Sequence, residues 1–358
     1  MMQISPETQL FIREHSSDDV RVLALQAKKY PDIDMPTAIT QIAGRKVAAE
    51  KIPSWWEIEK IWYPKHLSLE QCSSEITARY KARLLQGDSL TDLTGGFGID
   101  CSFLATGFKS ATYVERQEEL CEIAAHNFPV LNLNHINIKN EDGVTYLQAM
   151  SPVDCLFLDP ARRNEHGGKT VAISDCEPNV AELEELLLQK ANRVMIKLSP
   201  MLDLSLALKE LKQTQEVHIL SVNNECKELL ILLGQTSPTE ISIHCVNLST
   251  KGTQEEQHFV FTREQEQCSE CTYTDSLETY LYEPNASLLK AGAFRSIAAA
   301  YPVRKLHPNS HLYTSDTFIE NFPGRIFRIV NQCSFNKKEV KENLADLKKA
   351  NVTVRNFP

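Results

Sequence analysis

The 358-residue chain is 42% hydrophobic and 24% charged, with a formal net charge of −9 at pH 7. That length accommodates two to four folding units, and that charge argues against an indiscriminate nucleic-acid binder. No apolar run reaches membrane-spanning length and no signal-peptide pattern is visible near Met1. The ten cysteines, Cys101, Cys121 and Cys155 among them, lie mostly in apolar segments rather than in a disulfide framework, so a cytoplasmic location is expected.

The N-terminal third, residues 1–87, reads as a helical domain. Gln9 to Glu14, Val20 to Lys29 and Pro36 to Lys51 show helical apolar spacing, punctuated by Pro31 and Pro36. Trp55, Trp56 and Trp62 fall within one short stretch, which fits core filling between helices or a stacking platform for bases. Ser68 and Gln71 form a capping box that opens a helix running to Leu85. This helix leads into the first sheet strand, bringing Glu70, Gln71, Ser74 or Glu75 toward whatever that strand end binds.

Ser89 to Arg116 spells a strand, a glycine turn, a helix and a second strand ending in an acid. Gly95, Gly96 and Gly98 let the backbone turn sharply and approach a ligand closely. Asp92 ends the first strand, and Glu115 follows it by 23 residues, the spacing of an acid that grips ribose hydroxyls. A dinucleotide loop wants a third glycine where this chain has Cys101. Asp92 and Asp100 would also repel the pyrophosphate that the helix N-terminus should attract. The same acids favour S-adenosylmethionine, which has no phosphate and carries a sulfonium and an ammonium.

Further parallel strands are expected at His135–Lys139, Val153–Leu158 and Arg193–Leu198. The first leads to Asp142 and Gly143, with Asp142 placed to accept from an adenine amino group. The second leads to Asp159-Pro160-Ala161-Arg162-Arg163, and the third contains Lys197 and ends in Ser199-Pro200. Val217–Val222 and Lys227–Leu233, separated by Asn223-Asn224-Glu225-Cys226, read as an antiparallel hairpin. The sheet domain is therefore expected over 88–236. Strands at Glu240–Val246 and Gln257–Thr262 and a helix near Ser287–Ala300 suggest a small α+β, ferredoxin-like region over 237–322. Arg325–Val330, Lys337–Lys349 and Val352–Arg355 complete a last β-α-β unit. Cys268 and Cys271 have the spacing of half a zinc site, with His258 nearby. No second pair follows, so no metal is expected. From Asn285 onward there are 12 Lys/Arg against 5 Asp/Glu, a basic tail behind an acidic body. That tail suits a polyanion, or is simply a solvated helix face.

These residues resemble the class I S-adenosylmethionine-dependent methyltransferases, specifically the bacterial group with a THUMP-like C-terminal domain. The likeness rests on Asp92-Leu93-Thr94-Gly95-Gly96-Phe97-Gly98-Ile99-Asp100, Glu115, the Asp159–Arg163 run and Lys197-Leu198-Ser199-Pro200. It extends to Leu67–Glu75 and to Tyr280-Leu281-Tyr282-Glu283-Pro284-Asn285. It implies a Rossmann-like α/β sheet with an antiparallel terminal hairpin, an N-terminal helical domain and a small C-terminal α+β domain. That family's final domain usually runs on beyond the Pro358 position, so a partial THUMP-like unit is expected over 323–358. The resemblance places Asp92, Thr94, Gly95, Gly96, Phe97, Gly98 and Asp100 against the methionine part of the donor, Glu115 on the ribose and Asp142 on the adenine. Arg116 and Gly143 flank this set. Enzymes that methylate an exocyclic amine carry Asp/Asn-Pro-Pro-aromatic where this chain has Asp159, Pro160, Ala161 and Arg162. Asp159 is thus expected to accept from or orient the amine, with Arg162 or Arg163 stacking or contacting phosphate. Its structural reading is a helix N-cap or turn acid, and that of the arginines a surface ion pair. Structured RNA (tRNA or rRNA) is the implied substrate, with Arg163, Lys197, Lys337, Lys338 and Lys341 as further contacts. A protein or small-molecule acceptor, and a donor- or RNA-binding protein without turnover, remain open.

Overall fold

In a computed structural model, residues 4–162, 172–236, 238–250, 256–334, 336–345 and 349 are described. The chain forms two compact units. One comprises 1–264 with 286–292, the other 265–285 with 293–358.

The larger unit begins with helices α1 (Pro6–Glu14), α2 (Val20–Leu25) and α3 (Met35–Lys51), each capped by a side chain at its start, Ser5, Asp19 and Asp34. Then come α4 (His66–Gln71) and α5 (Glu75–Ala82). The single helix expected from Ser68 to Leu85 is therefore two. The chain breaks at Cys72–Ser74 because the Ser73 hydroxyl is buried in polar contacts with Asp100 and Lys81, described below. Trp55 and Trp62 resolve toward packing, while Trp56 is exposed under Arg45. Trp55 is buried with Ile52, Tyr63 and Phe97. Trp62 exchanges two 2.9 Å hydrogen bonds with the Asn127 side chain and stacks on His126 at 3.7 Å. This shared core joins the helices to the sheet, so the helical third is not a separate unit.

The sheet has nine strands: β1 (Ser89–Asp92), β2 (Ser110–Glu115), β3 (Ile136–Asn140), β4 (Val153–Leu158), β5 (Ala191–Leu198), β6 (Thr214–Val222), β7 (Glu225–Gly234), β8 (Ser242–Leu248) and β9 (Glu256–Thr262). Its order is β9-β8-β6-β7-β5-β4-β1-β2-β3. The first five strands run parallel, linked by α6 (Ile99–Ala105), α7 (Glu118–Val130), α8 (Gly143–Ala149) and α9 (Val180–Lys190). The expected hairpin forms, with Asn223 and Asn224 both at positive φ in its turn. It inserts β7 antiparallel between β5 and β6. Leu229 to Leu233 are fully buried, as a strand covered on both faces requires.

The strands expected in a small appendage at Glu240–Val246 and Gln257–Thr262 belong instead to this sheet. β8 pairs parallel with β6 and antiparallel with β9. Ile243, Cys245 and Val246 are buried there, with the helix Ala286–Ala291 packed against β8 and β6. Strand alternation reads identically wherever the strand pairs, so sequence alone assigns these two strands to no particular sheet.

The smaller unit holds an antiparallel sheet of Arg304–Lys305, Tyr313–Ser315, Tyr280–Pro284 and Gly324–Arg328 around Tyr282, Tyr313 and Phe322. The helix expected at Ser287–Ala300 is split at Gly292, whose φ of 77° ends the first piece. A second begins at Phe294, where both Glu266 carboxylate oxygens accept from the Phe294, Arg295 and Ser296 amides. The expected strand at Val352–Arg355 lies outside the described residues.

Candidate active site

β1 and β4 are neighbours in the sheet; β1 ends on Asp92 and β4 leads directly into Asp159. Asp92 is buried. Its Oδ1 accepts from the Thr94 amide at 2.9 Å, and its Oδ2 is buried with no partner among the described residues. Burial pushes this carboxyl up to about 8, against the Thr94 hydrogen bond and reinforced by Asp100, Asp159 and Glu115. A buried acceptor left open is a strong pull on a cationic donor.

The glycine turn is built for close approach. A Cβ on Gly95 would lie 2.3 Å from the Tyr113 ring, while Gly96 and Gly98 sit at φ +53° and +86°. Glu115 closes the loop: Oε2 accepts from the Gly96 amide at 2.9 Å and Oε1 from the Gln117 amide at 2.8 Å. Tyr113 donates its hydroxyl to the Gly96 carbonyl from below. Gly143 is pressed against the loop's start, where a Cβ would meet the Leu93 carbonyl at 2.2 Å. Phe97 is buried and packs edge-on against Trp55, ring centroids 5.2 Å apart, so it anchors the loop to the helical layer.

Asp159 comes next to the loop because its amide donates to the Thr94 hydroxyl at 2.6 Å. Its carboxylate, about a third exposed, is paired through Oδ2 with Lys197 at the end of β5. Burial raises the Asp159 pKa, only partly opposed by Lys197. Burial alone would lower the Lys197 ammonium, but Asp159, Asp100 and Glu228 together hold it above its usual value. Pro160 is buried, and the next two residues turn back to pair with Cys176 and Glu177. That places the Arg162 backbone in a short strand; Arg163 lies outside the described residues.

Asp100, on the first turn of α6, contacts Lys197 at 3.6 Å and Lys81 at 2.8 Å. Burial would raise its carboxyl, and these two cations reverse the sign and hold it low. Lys81 of α5 is wholly buried and also meets Glu228 of β7 at 2.7 Å, and it donates to the Ser73 hydroxyl at 2.7 Å. Ser73 in turn donates to Asp100 at 2.7 Å. The result is a buried network of two cations and three carboxylates beside the glycine turn, one charge short of neutral.

Sequence reading named Asp92, Asp100, Asp159, Glu115 and Lys197, and the structure brings them together. It missed Ser73, Lys81 and Glu228. The available signal was a lysine on the buried stripe of α5, with Thr77 and Ala78, and an acid at the head of the Leu229–Leu233 run. Glu75, proposed at this mouth, binds Arg79 and the Ser54 amide instead. Asp142 is exposed and caps α8, its Oδ1 accepting from Val144 and Thr145 amides at 3.0 Å. Arg116 is exposed, 3.7 Å from Glu177. Lys337, Lys338 and Lys341 are exposed on the helix Lys337–Asn343 of the smaller unit.

The C-terminal part matches two family models, a ferredoxin-like domain over 280–323 and a THUMP domain-like one over 324–358. No curated protein matches the chain. Among solved structures, a Porphyromonas gingivalis W83 protein named as a methyltransferase is 34% identical. That alignment covers 100% of this chain and 90% of the other, at a TM-score of 0.86. A Streptococcus mutans protein so named, solved with SAH, is 13% identical over 45% of this chain and 96% of its own, at 0.33. A Streptococcus thermophilus rRNA methylase is 14% identical over 44% and 93%, at 0.32. At those scores the last two carry no argument.

Proposed function

The chain belongs to the class I methyltransferases with a THUMP-like C-terminal domain, and from that premise we propose that it transfers a methyl group from S-adenosylmethionine to a base in structured RNA. The observation that carries the donor reading is the buried Oδ2 of Asp92, without a partner among the described residues, beside a glycine turn whose Gly96 is open to close approach. This combination fits an ammonium, which can draw off the carboxyl proton and pair with the charge left behind. The donor supplies an activated methyl group on a sulfonium.

The chain's own residues do the rest. Asp92 loses its proton when it receives the ammonium, because an adjacent cation removes the reason its carboxyl is held up. Glu115 keeps the loop closed through Gly96 and still has lone pairs for ribose hydroxyls. Gly143 keeps α8 tight against Leu93, so that the Asp142 carboxylate stands at the rim for the adenine. Asp159 accepts from the incoming amine through Oδ1, its other oxygen held by Lys197. Its raised pKa makes it a better acceptor than a free carboxylate for the proton that amine must shed. Placement and exclusion of water supply most of the rate in such a displacement.

The RNA acceptor is supported by the THUMP-like match over 324–358 and the basic balance from Asn285 onward. A tritium-methyl assay on undermodified tRNA and rRNA, with affinity measured across a salt series, tests it. Transfer together with affinity that falls steeply with salt is the expected result. Donor binding with transfer only to protein or small molecules overturns the RNA acceptor and leaves the donor site standing. Donor binding with no transfer to any acceptor makes the chain a binding protein without turnover.

A further inference from the structure

Across β6 and β8 the strand register stacks two histidines, and β9 adds a third beside them. His218 and His244 are directly opposite one another across the parallel β6–β8 pair, their rings 4.3 Å apart and nearly parallel. His258 of β9, opposite Val246 in register, reaches diagonally to His244, its Nε2 3.1 Å from His244 Nδ1. Glu216, two residues before His218 on the same face of β6, lies 3.3 Å from His218 Nε2. One ligand atom from each of Glu216, His218 and His244 falls within 4.8 Å of the others.

We infer that Glu216, His218 and His244 form a binding site for a divalent transition metal, zinc being the best fit. Two imidazoles and one carboxylate suit zinc and its first-row neighbours; calcium and magnesium want all-oxygen sets. Each ligand already has the outer partner that metal sites use to orient it. Tyr80 Oη is 2.8 Å from His218 Nδ1, which leaves Nε2 as the nitrogen that faces Glu216 and that the ion would take on displacing its proton. Arg193 holds Glu216 at 2.8 Å. His258 holds His244 by Nδ1, which leaves its Nε2. Zinc bonds of about 2.0–2.1 Å draw ligands to ~3.4 Å of each other. The half-buried Glu216 and His244 therefore tilt inward, while buried His218 stays in place. The metal fastens the added β8–β9 pair to the catalytic sheet.

The test uses the full chain, stripped with chelator and titrated with zinc, then with cobalt(II) as a spectroscopic probe. About one zinc per chain is expected, with a rise in melting temperature. Cobalt should give d–d bands without a thiolate charge-transfer band. His244→Ala, a half-buried position, should weaken zinc binding at least about tenfold and abolish the rise, while melting like metal-free wild type. The double variant Cys268→Ser, Cys271→Ser should bind as wild type does. Three results overturn the site: no stoichiometric zinc on wild type, undiminished zinc on both His244→Ala and Glu216→Gln, or a charge-transfer band that vanishes with the two cysteines.

Discussion

Two consecutive residues of α5 enter two polar clusters on one face of the same sheet. Tyr80 reaches the histidine ladder through His218, and Lys81 enters the carboxylate network beside the glycine turn. Both clusters lie against apolar strands, the first buried and the second partly so, yet they meet the cost of burial differently. Around Lys81 the charges persist because each has an opposite partner, Asp100 and Glu228 for Lys81, Asp159 and Asp100 for Lys197. In the ladder burial and the neighbouring His218 and His258 outweigh Glu216, and the His244 imidazole sheds its proton instead. A buried ionisable group is paired or it is neutralised, and the partners within a few ångströms decide which. The paired cluster presents a field suited to a charged ligand; the neutral one presents lone pairs.

That contrast can be broken most forcefully at Lys81. Lys81→Met leaves Asp100 and Glu228 buried without their shared cation and is expected to cost about 3–5 kcal/mol of stability by denaturant unfolding. A loss near that of an exposed ion pair, under about 1 kcal/mol, would mean that the network is solvated rather than buried. Next is Asp159→Asn, which keeps the backbone bond to Thr94 and removes the carboxylate. Transfer should fall by about 10²-fold or more with donor binding retained, measured by single-turnover methylation. Unchanged turnover would assign Asp159 to the turn alone.

Asp92 gives a pH signature. Its folded pKa of about 8 lies above the unfolded value near 3.8, so its contribution is full below about pH 4 and lost as pH rises toward 8. Comparing donor-free wild type with Asp92→Asn, the wild type should lose ground across that window, by up to about 1.4 kcal/mol per pH unit. A pH-independent difference would remove the argument for a protonated Asp92. The smallest effect sharpens the contrast from the other side. Tyr80→Phe removes only the bond to His218 and should cost about 1 kcal/mol, several-fold less than Lys81→Met one residue on.

The glycine turn, its acids and the β6–β7 hairpin can be read from sequence because each is local. Strand, turn, helix and strand are covalently consecutive between Ser89 and Arg116, so spacing carries the geometry. The Asn223-Asn224 pair names its own turn. Phe97 shows where locality stops: it lies in the middle of the turn motif, but which layer it enters depends on Trp55, forty-two residues earlier. The β8–β9 pair was recognisable as strands and misplaced as to sheet, since its own residues record alternation and not their neighbour.

By itself, then, the chain's sequence determined the βαβ unit, the acids Asp92, Asp100 and Glu115 around its turn, and the antiparallel terminal hairpin. The tertiary structure alone decided the company of those acids. Lys81 meets Glu228 across 147 residues, and Glu216 and His218 meet His244 through a register between β6 and β8. The physical reason is that spacing encodes only what a short chain can reach. The charge state of a buried group is set by whatever packing brings within a few ångströms of it, from anywhere in the sequence.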